Sequence, residues 1–148
     1  MKVVRCTTKF LEDAAKILVT AYFGSLKEAN KYLLEKIKSG ECYVATQGNE
    51  VLGFFCYEKD YSHHANFLSD IVVAQKYRRK GVAKQLILKF IEVSRKETPH
   101  KQKYVLSSTD VTNIASIKMH LKIGFEKLGK IKRIHYGKDE IFFGYALR

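Results

Sequence analysis

Residues 71–84 constrain this chain more than any other stretch. Ile71-Val72-Val73-Ala74, an apolar run without alternation, leads through Gln75-Lys76-Tyr77-Arg78-Arg79-Lys80 to Gly81 and then into an amphipathic stripe. A strand wetted on one face alternates apolar and polar side chains, so a run that does not alternate reads as a central strand covered on both faces. From about Gly81 to Lys96, Val82, Leu86, Phe90 and Val93 recur at helical spacing with Ala83 and Ile87 beside them. A buried strand passing through a basic turn into a helix implies a layered sheet-and-helix architecture.

The flanking patterns extend that architecture in both directions. Val3–Cys6 reads as a short strand, and Leu11, Ala14, Ala15, Leu18, Val19 and Tyr22 then recur at three-and-four spacing. Ser25-Leu26-Lys27-Glu28 is a capping box that opens a second helix, with Leu26, Ala29, Leu33 and Ile37 on one face and Gly40 as its stop. Residues 42–46 and 51–57 read as a hairpin around Gln47-Gly48-Asn49-Glu50, and Phe67–Ala74 as the next strand. After the helix that Thr98-Pro99-His100 ends, Tyr104–Ser108 reads as a strand. A short helix follows from about Asn113 to Lys122, with Ile114, Ile117 and Leu121 turned inward, and strands near Phe125–His135 and Glu140–Leu147 close the chain. The order β-α-α-β-β-β-α-β-α-β-β predicts an α/β (α+β) fold with a mixed sheet.

Nothing repeats and the only proline is Pro99, so the 148 residues are expected to form a single domain. The longest apolar runs, Val51–Tyr57 and Ile141–Leu147, are far short of the ~20 residues a membrane helix needs. The start, Met1-Lys2-Val3-Val4-Arg5-Cys6-Thr7, lacks the apolar stretch of a secretory signal, and a cytoplasmic protein is expected. Cys6, Cys42 and Cys56 are odd in number and without C-x-x-C spacing, which suits buried reduced thiols. Charge is the unusual property. The net charge is +12, yet residues 1–75 carry nine basic and nine acidic side chains, so the whole excess lies in residues 76–148. An anionic ligand bound by that half is the first expectation.

The turn after the buried strand suits a phosphate. Amides at a helix N-terminus lack intrahelical partners and carry the positive end of the helix dipole, and a glycine lets backbone approach an anion closely. Arg78, Arg79, Lys80 and Lys84 add positive side chains. Gly81 is the only glycine of the turn, which matches neither G-x-x-x-x-G-K-[ST] nor G-x-G-x-x-G, so a nucleoside triphosphatase or dinucleotide oxidoreductase is disfavoured.

Arg78-Arg79-Lys80-Gly81-Val82-Ala83 resembles the Q/R-x-x-G-x-G/A loop with which the GNAT N-acetyltransferases hold the pyrophosphate of acetyl-CoA. A second pattern of that family, an Asn opening a short helix that ends in Gly-Phe, stands here as Asn113 to Gly124-Phe125. The resemblance covers essentially the whole chain and implies a mixed central sheet with helices on both faces. It implies acetyl-CoA as cosubstrate and no metal. Backbone groups of Ile71, Val72 and Val73 would hold the pantetheine arm, with the Val73 amide polarising the thioester carbonyl. The segment Arg78, Arg79, Lys80, Gly81, Val82, Ala83 and Lys84 would wrap the pyrophosphate, and Asn113 would touch the pantetheine or adenosine. Acyl transfer in this family is similar to direct attack by a primary amine on the thioester. That route needs a base for the ammonium and an acid for the departing thiolate.

Many family members place Tyr where this chain has His120, which is thus the candidate acid or the group that helps position the thiol. Asp70, a carboxylate at the head of an otherwise apolar central strand, is the candidate base, ahead of Glu41 and Glu58. Its alternative is a surface-facing strand residue or a partner for a nearby Arg or Lys. His63-His64 has no third or fourth ligand at zinc spacing, so no metal site is expected. Ser107-Ser108-Thr109 reads as strand-end hydrogen bonding. The late cluster Lys127, Lys130, Lys132, Arg133 and Lys138 is a solvated strand face or a guide for an anionic acceptor. CoA carries only about four negative charges. The remaining excess therefore keeps open a nucleic-acid-binding module, or an acetyltransferase acting on tRNA or a nucleic-acid-bound protein. The resemblance leaves the acceptor amine unassigned, and a monomer or a homodimer both fit.

Overall fold

The structure is a computed structural model that describes residues 1–21 and 24–148. Its elements run β1 (Lys2–Arg5), α1 (Leu11–Ala21), α2 (Leu26–Ser39), β2 (Cys42–Gln47), β3 (Glu50–Ser62), β4 (Ala65–Val73), α3 (Val82–Glu97), β5 (Tyr104–Asp110), α4 (Ile114–Ile123), β6 (Glu126–His135) and β7 (Lys138–Ala146). This is a mixed α/β fold whose seven strands follow the order β1-β2-β3-β4-β5-β7-β6. The expected helical position Tyr22 lies outside the described residues. By contacts the chain divides into two compact units, Met1–Tyr57 with Asp70–Phe90, and Glu58–Ser69 with Ile91–Arg148.

In the first unit, β1, β2 and the first part of β3 form an antiparallel ladder. Its core gathers Ala14, Ala15 and Leu18 of α1, Ala29 and Leu33 of α2, and Val44, Phe54 and Val72 from the strands. Ser25 caps α2 by accepting from the Glu28 amide, and Gly40 ends that helix at φ 75°, a left-handed position that glycine adopts without a Cβ clash. Two positions correct the helical pattern. Leu26 is exposed, whereas Lys36 is buried, its ammonium donating to the Tyr57 carbonyl at 2.8 Å and pairing with Glu41 at 3.8 Å. A buried cation is tolerated here because it has both partners.

Cys42 and Cys56 are direct cross-strand partners, and the Cys6 amide donates to the Cys42 carbonyl. All three thiols are buried and free. Hydrogen bonding to Cys42, then burial, pushes the Cys6 thiol far up, and bonding to Cys56 does the same for Cys42, so both are protonated and unreactive.

Close approach fixes where β4 lies against β3. A Cβ on Gly53 would stand 2.6 Å from the Val72 carbonyl oxygen, and the Ala74 amide donates to the Leu52 carbonyl at 2.9 Å. On α3, Phe90 meets Phe55 and Tyr57 edge-on at 5.9 and 5.8 Å.

The second unit contains the parallel pair of the sheet. Phe67 and Leu68 of β4 face Leu106 and Ser107 of β5, while β5 pairs with β7 from Tyr104 to Asp110, and β7 with β6. β5 continues past Ser107 paired with β7. α4 corrects another expectation: Ile114 and Leu121 are 55% and 45% exposed, and the residue it buries is His120. The reason is polar. His120 bonds to β5 and stacks on Phe143 of β7 at 4.5 Å, which turns the 116–120 face inward. β3 and β4 extend toward each other around His63 and His64, both at positive φ, and a tight turn there closes a long hairpin.

Candidate functional site

The turn between β4 and α3 is built as the local sequence dictates. Gln75–Tyr77 makes one 3-10 turn, Arg78 donates through Nε to the Val73 carbonyl at 3.2 Å, and Arg79 and Gly81 take left-handed φ of 62° and 82°. The first helical bond joins the Gln85 amide to the Gly81 carbonyl, so the amides ahead of Gln85 have no carbonyl four residues back within α3. A Cβ on Gly81 would meet nothing within 4 Å. It is thus backbone conformation that asks for glycine there, and the space above the turn is open. Arg79, Lys80 and Lys84 are exposed beside it. Lys76 is not part of that free charge: its ammonium is bound to Glu50 at 2.6 Å, a bond that lowers Glu50 and raises Lys76 from their ordinary values.

These features fit the diphosphate of a nucleotide-type cosubstrate. Open space, helix-terminal amides, a left-handed glycine and three exposed cations lie within seven residues. Ile71, Val72 and Val73 immediately precede them on β4, Val72 with its side chain buried.

Asp70 lies one residue earlier. It is half-buried within β4 and not at the head of the strand, because β4 begins at Ala65. Tyr32 of α2 donates its phenolic hydrogen to Asp70, and the two residues line a cavity of about 240 Å³ with Glu28, Ser25, Ala29 and Leu18. Tyr32 escaped the sequence reading because its partner is 38 residues away. The available signal was its place on the same helical face as Ser25 and Glu28.

His120 and Asn113 belong to the second unit, at opposite ends of α4. Asn113 caps the helix, its Oδ1 accepting from the Ser116 amide at 3.1 Å. His120 is only 1% exposed. Its Nδ1 lies 2.7 Å from the Ser116 carbonyl, which can only accept, so the proton is on Nδ1 and Nε2 accepts from the Ser107 hydroxyl at 2.8 Å. Burial pulls its pKa below the usual histidine value of 6.5, with the Ser116 bond opposing, and the ring is neutral at pH 7. Glu41 is tied to Ser39 at 2.6 Å and to Lys36. Among the described residues no group of three or more His, Cys, Asp or Glu converges on a metal-sized site, and no helix is long and apolar enough to cross a membrane.

Comparison with known proteins bears on this arrangement. No curated protein matches the chain in sequence. Among solved structures it is similar to a GNAT-family acetyltransferase from Bacillus cereus, at TM-score 0.82 and 25% identity over 98% of this chain and 96% of that one. It also shares its fold with a ribosomal-protein-alanine N-acetyltransferase from Brucella melitensis, at TM-score 0.82 and 21% identity over 99% of each chain. The same holds for the Salmonella typhimurium protein yncA, solved with its cofactor acetyl-CoA, at TM-score 0.81 and 14% identity over 99% of this chain and 94% of that one. The sequence model of the Acetyltransferase (GNAT) family matches residues 11–125, which take in the whole basic turn and α4, and the chain belongs to that family.

Proposed function

We propose that this chain is one N-acetyltransferase domain, moving the acetyl group of acetyl-CoA to a primary amine by direct attack in a ternary complex. The observation that carries the reading is the turn heading α3, where helix-terminal amides, Gly81 at φ 82° and exposed Arg79, Lys80 and Lys84 make a diphosphate cradle. Acetyl-CoA supplies an activated thioester. Residues 78–84 hold its pyrophosphate, backbone groups of Ile71, Val72 and Val73 hold the pantetheine arm, and the Val73 amide polarises the acyl carbonyl. Asn113 orients α4 as its cap and borders the cosubstrate.

Asp70 serves the amine. A phenol donating to a carboxylate favours the charged form, so Asp70, with Glu28 on the same cavity, suits the pairing of an ammonium. His120 has its Nδ1 proton committed to Ser116 and its Nε2 to Ser107. These bonds hold α4 on β5 and leave neither ring nitrogen to donate to a thiolate, so of the two roles the sequence leaves to His120 they support helping to position the thiol over acting as the acid.

Calorimetry with acetyl-CoA, followed by a turnover screen reading free thiol, tests the reading. The panel is a peptide with a free N-terminal alanine, a polyamine and tRNA. Micromolar binding and turnover of at least one amine are expected, and failure to bind acetyl-CoA at any workable concentration rejects it. Replacing Arg79 and Lys80 together with Ala is expected to raise the acetyl-CoA KM about tenfold at little cost in kcat.

One observation favours a second reading of the acceptor. Nine of the ten residues of β6 are exposed, among them Lys127, Lys130, Lys132 and Arg133, with Leu128, Ile131 and Ile134 between them. That surface suits an acceptor carried on nucleic acid, and the tRNA arm of the screen addresses it.

A further inference from the structure

On the acetyltransferase reading, on which this inference rests, the acceptor is any primary amine, and the cavity beside Asp70 can narrow that class. Every residue that lines it belongs to the first unit, as do Val73 and the turn at 78–84. Its volume, about 240 Å³, lies below the roughly 300 Å³ at which pockets for drug-sized ligands begin, so it suits an occupant of few heavy atoms. Leu18 and Ala29, both buried, give it an apolar wall, with Val19 beside them. Such a wall suits methylene groups. The polar groups of a sugar or a peptide backbone would lie against it unpaired.

Two carboxylates border that wall. Tyr32, one helical turn after Glu28 and on the same face of α2, donates its phenolic hydrogen to Asp70. Glu28 is held differently. The capping box from Ser25 to Glu28 is only half used: Ser25 Oγ accepts from the Glu28 amide at 3.1 Å, but the Glu28 carboxylate makes no hydrogen bond or ion pair among the described residues. A Cβ on Gly24 would lie 3.4 Å from Glu28 Oε2, so the carboxylate folds back over the start of α2, where Gly24 and Glu28 both line the cavity. Among the described residues no Lys, Arg or His lines it. A monoamine would match one carboxylate and leave the other. An amine that also carries a carboxylate would bring a third like charge into a small space.

We propose that the acceptor is a short aliphatic diamine, its reacting ammonium at Asp70, its methylenes on Leu18, Val19 and Ala29, and its far ammonium at Glu28, which is thereby a specificity-determining residue. In the transfer the C–N bond forms as the C–S bond breaks. Of the two protons that the reacting ammonium gives up, one ends on the CoA thiol and one in water. Acetylation also removes the charge that Asp70 attracts. The product then offers one cation to two carboxylates, so it binds less tightly than the substrate and the reaction stops at one acetyl group.

Three amines with one four-carbon chain and different far ends test this: 1,4-diaminobutane, butylamine and 4-aminobutanoate, assayed with acetyl-CoA by release of free thiol. Their kcat/KM is expected to fall in that order, by about fivefold at each step, and mass spectrometry should find the diamine acetylated once. Glu28→Gln should remove most of the diamine's advantage over butylamine, chiefly through KM, and Glu28→Lys should place 4-aminobutanoate ahead of the diamine. Both variants keep the backbone amide that Ser25 caps. Glu35, an exposed acid of α2 that does not line the cavity, is the control, and Glu35→Gln should keep the diamine's advantage. Calorimetry with 1,4-diaminobutane alone gives a second readout, with binding expected to be about fivefold weaker in Glu28→Gln than in the wild type. A diamine no better than butylamine, or an advantage that survives in Glu28→Gln, overturns the proposal and leaves the acetyltransferase reading standing as long as butylamine or the alanine peptide is turned over. A wild type that neither binds acetyl-CoA nor acetylates any of these amines overturns that reading and this proposal with it.

Discussion

His120 is where a single residue ties fold to pH. It is buried, neutral and bonded at both nitrogens, and burial depresses its pKa in the folded protein below the 6.5 of the free side chain. Between the depressed value and about 6.5 the unfolded chain binds a proton that the folded chain refuses, so stability is full above about pH 6.5 and falls as pH drops toward the folded value. The slope approaches about 1.4 kcal/mol per pH unit at most. Glu50 and Asp110, both lowered by hydrogen-bonding partners, lose their contributions only at more acidic pH. Urea unfolding should therefore show a midpoint that declines from pH 7 to 5 in the wild type. In His120→Phe it should be nearly flat there, at an overall cost of about 1–3 kcal/mol from leaving Ser107 and the Ser116 carbonyl unpaired. A decline of equal steepness in the variant would show that some other group titrates there. Little of this was legible in the sequence. A histidine on a short helix reads equally as surface, ligand or core, and the partners that decide the matter, Ser107 and Phe143, come from two strands.

At the scale of elements, strands and helices were legible wherever apolar period and turn chemistry agreed, as in α2 between Ser25 and Gly40 or in the buried run of β4. The failures have physical causes. Glu58–Ser62 carries no apolar alternation, yet it extends β3 because β4 begins earlier, at Ala65, and the two run together to a turn at His63 and His64. α4 has only ten residues, too few for its apolar spacing to outweigh a polar anchor, and it turns His120 inward in place of Ile114 and Leu121. Of the candidate site, the contiguous turn at 78–84 could be read directly. The Tyr32–Asp70 pairing could not, since it joins a helix to a strand 38 residues further along the chain.

Gly53 offers a test at this scale. Its missing Cβ lets the Val72 carbonyl and Val73 Cα come close, and β4 between Ile71 and Val73 is the segment assigned to the pantetheine arm. Gly53→Ala should push backbone against backbone and cost about 1–3 kcal/mol. It should also weaken acetyl-CoA binding in calorimetry without touching any charged group. Wild-type stability and affinity in that variant would mean that the strand yields without consequence.

The charge of the whole molecule sorts into parts that act separately. Of the +12, all lies in residues 76–148; Lys76 is bound to Glu50 and Lys130 to Asp139, and exposed cations stand on the α3 turn, on α4 at Lys118 and Lys122, and on β6 at Lys127, Lys132 and Arg133. Exposed charges act through water and are screened within about 8–10 Å at ordinary ionic strength. Raising potassium chloride from about 50 to 500 mM should therefore increase the acetyl-CoA KM severalfold, because the turn meets its diphosphate largely through solvent-exposed side chains. Changing Lys127, Lys130 and Lys132 together to Gln should leave that salt response intact, since those residues are on β6 and not on the turn. If the acceptor is carried on nucleic acid, the same triple change should weaken tRNA binding in a gel shift and flatten its dependence on salt by about three counterions' worth. A small amine acceptor gives the opposite pattern: tRNA is bound weakly by wild type and variant alike, and amine KM is indifferent to all three lysines. Measured side by side, the two salt responses assign the excess charge to the cosubstrate, to the acceptor, or to both.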